Sequence, residues 1–259
     1  MKKIAVITAG LNAAKFIEDC VESVRSSMTD GLFEVLHVYV DDGSTDNTSE
    51  VINRIAHPNL KYIQLDKNYG PSYARNFAVS QIECDYIFHL DADDVLFQNS
   101  LKYLFIKAEE AGSQWVYGDF IRANQDLKYI RALDYYGWPF KTVQQALQSM
   151  FTGWHFFQGN CLYSRELFDK VGGFNVDLRL GEDFELFTKF LVEGELPVHL
   201  PGPLYIHRNH ESNATKSFTT GNYKEMHRDN TRLIFNLHSE GILNKLTEED
   251  QKTIFDYLN

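Results

Sequence analysis

The chain has 259 residues, with 25 Lys+Arg against 36 Asp+Glu, for a formal net charge of −11. That balance opposes a duplex-coating nucleic-acid binder, and 14% aromatic residues oppose a disordered acidic chain. With a mean hydropathy of −0.34 and no apolar run near the ~20 residues of a membrane span, the expectation is one soluble domain with an appendage. Ile4–Gly10 is too short and too strand-like for a signal peptide. Cys20, Cys84 and Cys161 form no CxxC pair, so neither a disulfide framework nor a zinc site is expected, and a cytoplasmic location is the default. Asn-x-Ser/Thr matches at Asn47 and Asn213 read as chance in that compartment.

In chain order, Ile4–Thr8 is a β-branched run that predicts a buried strand. Phe16, Ile17, Cys20, Val21 and Val24 follow at helical spacing. Val35–Val40 reads as a second strand and Thr45–Ile55 as a helix entered from a Ser/Thr/Asp turn. Leu60–Leu65 predicts a third strand, and Tyr73–Ser80 a helix with Pro71 near its start. Tyr86–Leu90 and Leu101–Glu110 continue the alternation, which implies a parallel sheet with helices on both faces. Beyond Trp115 the expected elements are a hairpin (Trp115–Ile121 with Lys128–Arg131), a helix over Thr142–Met150, and helices or strand–helix pairs over Leu162–Val171 and Phe184–Val192. An extended stretch broken by three prolines follows over Pro197–Ile206, then two C-terminal helices near Tyr223–Leu237 and Glu248–Tyr257. The division expected is a catalytic unit over 1–215 and a helical extension over 216–259.

Ligands of open α/β sheets bind at the carboxyl ends of the strands. The first strand ends in Thr8-Ala9-Gly10-Leu11-Asn12, the second in Asp41-Asp42-Gly43-Ser44-Thr45-Asp46, and the fourth in Asp91-Ala92-Asp93-Asp94. Carboxylates crowded at one edge repel unless a cation or a donor-rich ligand relieves them. Asp91 and Asp93 offer hard oxygens suited to Mg²⁺ or Mn²⁺. Taken singly, each cluster is also ordinary turn and cap chemistry. No Gly-x-Gly-x-x-Gly, P-loop, His-Glu-x-x-His or Gly-x-Ser-x-Gly motif is present, which disfavours dinucleotide, P-loop, zincin and α/β-hydrolase chemistry.

The Asp41–Asp46 segment, followed some fifty residues later by Leu90–Asp94, resembles glycosyltransferase family 2 with its GT-A fold. Asn68-Tyr69-Gly70, Ala74-Arg75-Asn76, Gly172-Gly173-Phe174, Gly181-Glu182-Asp183 and Tyr205–His210 resemble further family elements, so the likeness spans roughly residues 3 to 215. It implies an α/β GT-A fold and an inverting transfer from a UDP- or dTDP-type sugar to a hydroxyl. The acceptor implied is a glycan or lipid-linked glycan of a surface polysaccharide or glycoconjugate. The resemblance further implies Asp93 as main metal ligand, Asp91 reaching the metal or ribose, and His210 as a third ligand. Thr8, Ala9, Gly10, Asn12, Asp41, Asp42, Asn68, Gly70, Arg75, Asp91, Ala92 and Arg208 would line the donor site, with Arg75 and Arg208 facing the diphosphate. Asp183 would take the acceptor proton, with Glu182 as neighbour or substitute.

Aromatic residues Trp138, Phe151, Trp154, His155, Phe156 and Phe157 suggest an acceptor wall, with core packing the alternative for each. Trp154, His155, Gly159 and Asn160 are the acceptor-side candidates. The helix over Tyr223–His238 either packs on the catalytic unit or touches the inner face of a membrane. A nucleotidyltransferase acting on a sugar phosphate and an inactive sugar-binding module are the competing functions.

Overall fold

The computed structural model describes residues 1–27, 31–130, 134–153, 157, 159–178, 180–211, 213 and 223–259, with the backbone alone for 223–226. The elements are β1 (Lys3–Gly10), α1 (Ile17–Ser26), β2 (Glu34–Asp41), α2 (Thr48–Arg54), β3 (Leu60–Gln64), α3 (Pro71–Ser80), β4 (Tyr86–His89), β5 (Val95–Leu96), α4 (Ser100–Ala111), β6 (Trp115–Asn124), α5 (Val143–Phe151), β7 (Leu162–Ser164), α6 (Arg165–Lys170), α7 (Glu182–Val192), β8 (Val198–Asn209), α8 (Tyr223–Leu237), α9 (Ser239–Leu243) and α10 (Glu248–Leu258).

Among the described residues the strands form one eight-stranded sheet, ordered β3-β2-β1-β4-β7-β6-β8-β5. The β3-β2-β1-β4 half is parallel, as the alternation predicts. β7 enters antiparallel between β4 and β6, while β6 and β8 pair parallel and β5 closes the far edge antiparallel to β8. The architecture is therefore α/β with a mostly parallel sheet.

Side chains of the parallel strands alternate between two cores, because successive residues point to opposite faces. Ile4, Val6 and Tyr39 join α1, α2 and α4 on one face. Ala5, Ile7, Val38 and Val40 join α3, α5, α6 and α7 on the other. On α1, Ile17, Cys20, Val21 and Val24 are all buried, the apolar face predicted from spacing. Each fully buried aliphatic side chain contributes roughly 1.5–3 kcal/mol.

Four departures from the sequence reading have local causes. The helix expected from Thr45 begins at Thr48, because Asn12 Oδ1 accepts from Thr45 N (2.8 Å) and Asp46 N (3.3 Å), and Asp41 Oδ1 from Ser44 N (2.7 Å). Those amides hold the loop against the end of β1 and are withheld from a helix. The hairpin reduces to single antiparallel bridges, Ala123↔Tyr129 and Phe120↔Tyr135, with Arg131 outside the described residues.

The proline-bearing stretch is part of a continuous twelve-residue strand. Pro201 and Pro203 are exposed beside a register shift at Asp119, whose carboxylate accepts from Gly137 N and Gly202 N (2.7 Å each) and pairs with His199 Nε2 (2.8 Å). A buried carboxylate thus takes amide bonds that the ladder cannot make there. Finally, the C-terminal segment forms three helices. Ile234, Phe235, Ile242, Ile254 and Leu258 are buried in the same core as Trp115, Phe151 and Phe187.

Candidate active site

The carboxyl ends of β1 and β4 open into a cleft of about 440 Å³. Of the residues singled out from sequence, Ala9, Gly10, Asn12, Arg75, Asp91, Ala92, Asp93, Gly159, Asn160, Glu182, Asp183 and His210 line it. The sheet carries Asp91–Asp94 directly off β4. α7 brings Glu182 and Asp183 in its first turn, where helix amides favour negative charge.

Arg75 joins these two groups. Its Nη2 donates to Asp91 Oδ1 (2.9 Å) and its Nη1 to Glu182 Oε1 (2.6 Å). The guanidinium is buried and lies 5.5 Å over the Phe174 ring. Burial opposes its charge, but Glu182 and Asp91 outweigh that and raise its pKa. His89 Nε2 also lies 2.9 Å from Asp91 Oδ1. Desolvation works against the Asp91 carboxylate, yet His89 and Arg75 hold its pKa well below the usual range. Both contacts use one oxygen, so Oδ2 remains for the cleft, consistent with a side chain still 43% exposed.

Asp183 behaves oppositely. Burial and the neighbouring Glu182 charge push its pKa up to about 7. Phe184 N donates to its Oδ1 (2.8 Å). A Cβ on Gly159 would lie 3.4 Å from Asp183 Oδ2 and from His89 Cε1, so the missing side chain keeps that oxygen open. Two carboxylates whose pKa values are pushed in opposite directions within one cleft suit acid–base chemistry.

At the other end, His210 Nε2 lies 2.7 Å from Asp93 Oδ2, and Asn213 Nδ2 donates to the same oxygen (3.1 Å). Asn213 Oδ1 accepts from His210 N (2.6 Å), which ties the two together. Asp94 is buried, accepting from Asn160 Nδ2 (2.9 Å) and Arg208 N (3.0 Å). Burial, then Asp93 and Asp91, raise its pKa. Among the described residues no group of three or more His, Cys, Asp or Glu side chains converges as a metal site.

Other residues expected at the donor lie behind the cleft. Arg208 is buried and committed: Nε donates to Asp93 O, Nη1 to Gln125 O and Nη2 to Asp19 Oδ2, each at 2.8 Å. It bolts β8 to the Asp91–Asp94 loop and is outside the cleft lining. Thr8 is buried against His37 Nε2 (3.0 Å). Asp41 accepts from Ser44 N and from Tyr62 Oη (2.9 Å). Asp42 accepts from Tyr69 N and Gly70 N, 2.8 Å each. It thereby fixes the entry to α3, where Gly70 takes φ 97° before Pro71. Asn68 is exposed and outside the cleft lining.

The proposed aromatic wall does not form from Phe151 and Phe157, which are core residues with 0% and 3% exposure. Core packing was the better reading for both, since edge-to-face contacts with Phe184 and Trp115 satisfy them. Trp138 is 43% exposed and outside the cleft lining. Trp154, His155 and Phe156 lie outside the described residues.

His89, His207 and Asn213 line the cleft without having been singled out for it. His89 was readable, since a residue two before Asp91 on a strand shares its face. Asn213 looked like a glycosylation match, and only the fold brings it to Asp93.

The mostly parallel sheet, with carboxylates at its strand ends and an acidic helix start across the cleft, is the GT-A arrangement. The model of "Glycosyl transferase family 2" matches residues 5–172, so the chain belongs to that family. Succinoglycan biosynthesis protein ExoO of Rhizobium meliloti is 26% identical over 227 residues, covering 82% of this chain and 62% of that protein. Poly(ribitol-phosphate) beta-N-acetylglucosaminyltransferase TarS of Staphylococcus aureus is 35% identical over 105 residues, 39% of this chain and 18% of its own.

The crystal structure of S. aureus TarS 1–349 in complex with UDP-GlcNAc superposes with a TM-score of 0.76 at 21% identity, covering 99% of this chain and 72% of that one. Mannosyltransferase PcManGT from Pyrobaculum calidifontis, in complex with GDP-Man and Mn²⁺, gives 0.66 at 18% identity, covering 99% and 74%. The chain spans less than two thirds of the length of the first curated relatives it matches. Among the described residues no helix is long and apolar enough to cross a membrane.

Proposed function

We propose that this glycosyltransferase moves a sugar, with inversion, from a UDP- or dTDP-type donor to a hydroxyl of a glycan or lipid-linked glycan. The process served is the building of a surface polysaccharide or glycoconjugate. The observation that carries the reading is Asp183, a carboxyl pushed up to about 7 whose free oxygen faces the open space over Gly159. The named relatives, a succinoglycan biosynthesis protein and a poly(ribitol-phosphate) transferase, support the process.

In the reaction the acceptor hydroxyl approaches Asp183 Oδ2 and gives up its proton there as its oxygen bonds to the anomeric carbon. The bond from that carbon to the diphosphate oxygen breaks, and its electrons leave with the nucleoside diphosphate. Attack from the side opposite the leaving group inverts the centre. Arg75 keeps Asp91 and Glu182 in place and adds positive charge near Asp183. Asn12 and Gly10 shape the nucleotide end of the cleft. Gly10 is required there, because a Cβ would overlap the buried Tyr39 hydroxyl.

A divalent cation, Mn²⁺ or Mg²⁺, fits this donor set, since Asp93 and His210 already meet at one point and offer one oxygen and one nitrogen. When bound, the cation would stabilise charge on the leaving diphosphate as a Lewis acid.

Binding of UDP measured by titration calorimetry with Mn²⁺ and with chelator tests the donor. Absence of binding by any nucleoside diphosphate in either condition contradicts it. The product's anomeric proton, read by NMR, tests inversion.

A further inference from the structure

Glu185 is a buried carboxylate that the proposed chemistry does not use. It is 2% exposed and sits two residues after Asp183 on α7. Its Oε1 meets His238 Nε2 at 2.7 Å, at the junction of α8 and α9. Its Oε2 lies 3.0 Å from Lys189 Nζ, which also donates to Gly173 O. A charge this deep persists only when paired, so the partners are part of the fold around α7.

A second contact meets the start of the same helix. Gly181 N-caps α7 in the left-handed region at φ 69°, and a Cβ there would overlap Asn230 Nδ2 of α8. Ile234 Cδ1 lies 3.4 Å from that same position. Phe151 is edge-to-face with Phe184 of α7 and with Phe235 of α8, so apolar packing lies between the two contacts. At the far end of α7, Gly241 of α9 packs so tightly that a Cβ would meet Val192 Cγ1.

Resting on the function proposed above, we infer that α8 and α9 position the general base. Asn230 sets the turn at Gly181, and the His238–Glu185 pair locks the first turns of α7 so that Asp183 Oδ2 keeps its place over Gly159. Both act through α7 and touch no substrate, which makes them positioning residues. Placement matters because a shift of about 1 Å at a reacting group costs on the order of 100-fold in rate.

The test uses the full chain with His238→Leu, His238→Gln and Asn230→Ala. Gln keeps an N–H donor where His238 Nε2 stands. Amide hydrogen exchange over 181–186 should speed up about tenfold in His238→Leu and Asn230→Ala, with β1 unchanged and His238→Gln close to the parent. Unchanged exchange over 181–186, or a uniform rise across the chain, overturns the inference.

Hydrolysis of UDP-N-acetylglucosamine with Mn²⁺ supplies the kinetic arm. The two disruptive variants should lose about tenfold in kcat with donor KM within twofold, and His238→Gln should recover it. An unchanged kcat, or a loss carried by KM alone, overturns the inference. A parent that turns over while Asp183→Asn turns over equally defeats the functional reading instead. A parent inactive on this donor leaves the exchange measurement to decide the positioning.

Discussion

Arg75 and Glu182 are 107 residues apart in sequence and meet at 2.6 Å, with both side chains largely withdrawn from water. The pair stitches α3 to α7 across the cleft. Because Arg75 also holds Asp91, one guanidinium fixes the spacing between the carboxylate at the end of β4 and the acidic start of α7.

Arg75→Met removes the guanidinium that Glu182 and Asp91 share while keeping most of the volume, and leaves like charges facing one another. Breaking a buried pair from one side costs about 3 kcal/mol, with Asp91's share reduced by its exposure. Urea unfolding should show that loss at pH 7, and transfer should fall below detection. The Asp183 pKa should rise further, since Arg75 lowers it.

On the proposed function, Asp183 should govern the pH response. A base with a pKa of about 7 predicts kcat/KM falling tenfold per unit below pH 7 in the free enzyme. For stability, the carboxyl's pKa rises from 3.8 in the unfolded chain to about 7 when folded, so folding favours the protonated form. Ionisation therefore penalises the native state increasingly from pH 4 to pH 7 and fully above it. Asp183→Asn should abolish transfer yet stabilise the fold by roughly 2 kcal/mol at pH 8, a figure discounted for partial exposure. The gain should vanish as pH falls toward 4, which thermal melts across that range would show.

Asn213 holds both Asp93 and His210. Asn213→Ala should weaken Mn²⁺-dependent UDP binding 10- to 100-fold, the usual effect of losing an outer-shell partner. Asp93→Ala should remove the metal dependence altogether. Calorimetry with and without Mn²⁺ separates the two, and equal affinity in Asn213→Ala and the parent would contradict the assignment.

Asp119→Ala strips the β6–β8 bulge of its acceptor, orphaning Gly137 N, Gly202 N and the His199 ring. An unsatisfied buried donor costs about 1–3 kcal/mol, and these half-buried ones fall toward the lower end. The melting temperature should drop by many degrees while UDP affinity below the transition stays that of the parent. Asp119→Asn should recover part of the loss.

Much of the site could be read in the chain because it is local. Asp91 and Asp93 follow a strand that period and β-branching identify, and strand ends are where α/β sheets place ligands. Glu182 and Asp183 begin a helix marked by its apolar repeat. Arg208 shows where such reading stops: its residue type suited a diphosphate, but the fold surrounds it with Asp19 and two carbonyls and engages each of its three nitrogens. Phe151 was equally ambiguous, since an aromatic ring suits either a sugar or a core.

The sequence by itself determined the alternating α/β order, the strand-end acidic clusters and the family likeness, all properties of short segments. Tertiary structure alone decided which charges stay free. It spends Asp41, Asp42 and Arg208 on loops, pins Asp91 through one oxygen, and raises Asp183 by burying it beside Glu182. Such outcomes depend on long-range neighbours and on exclusion of water, which no local pattern of residues encodes.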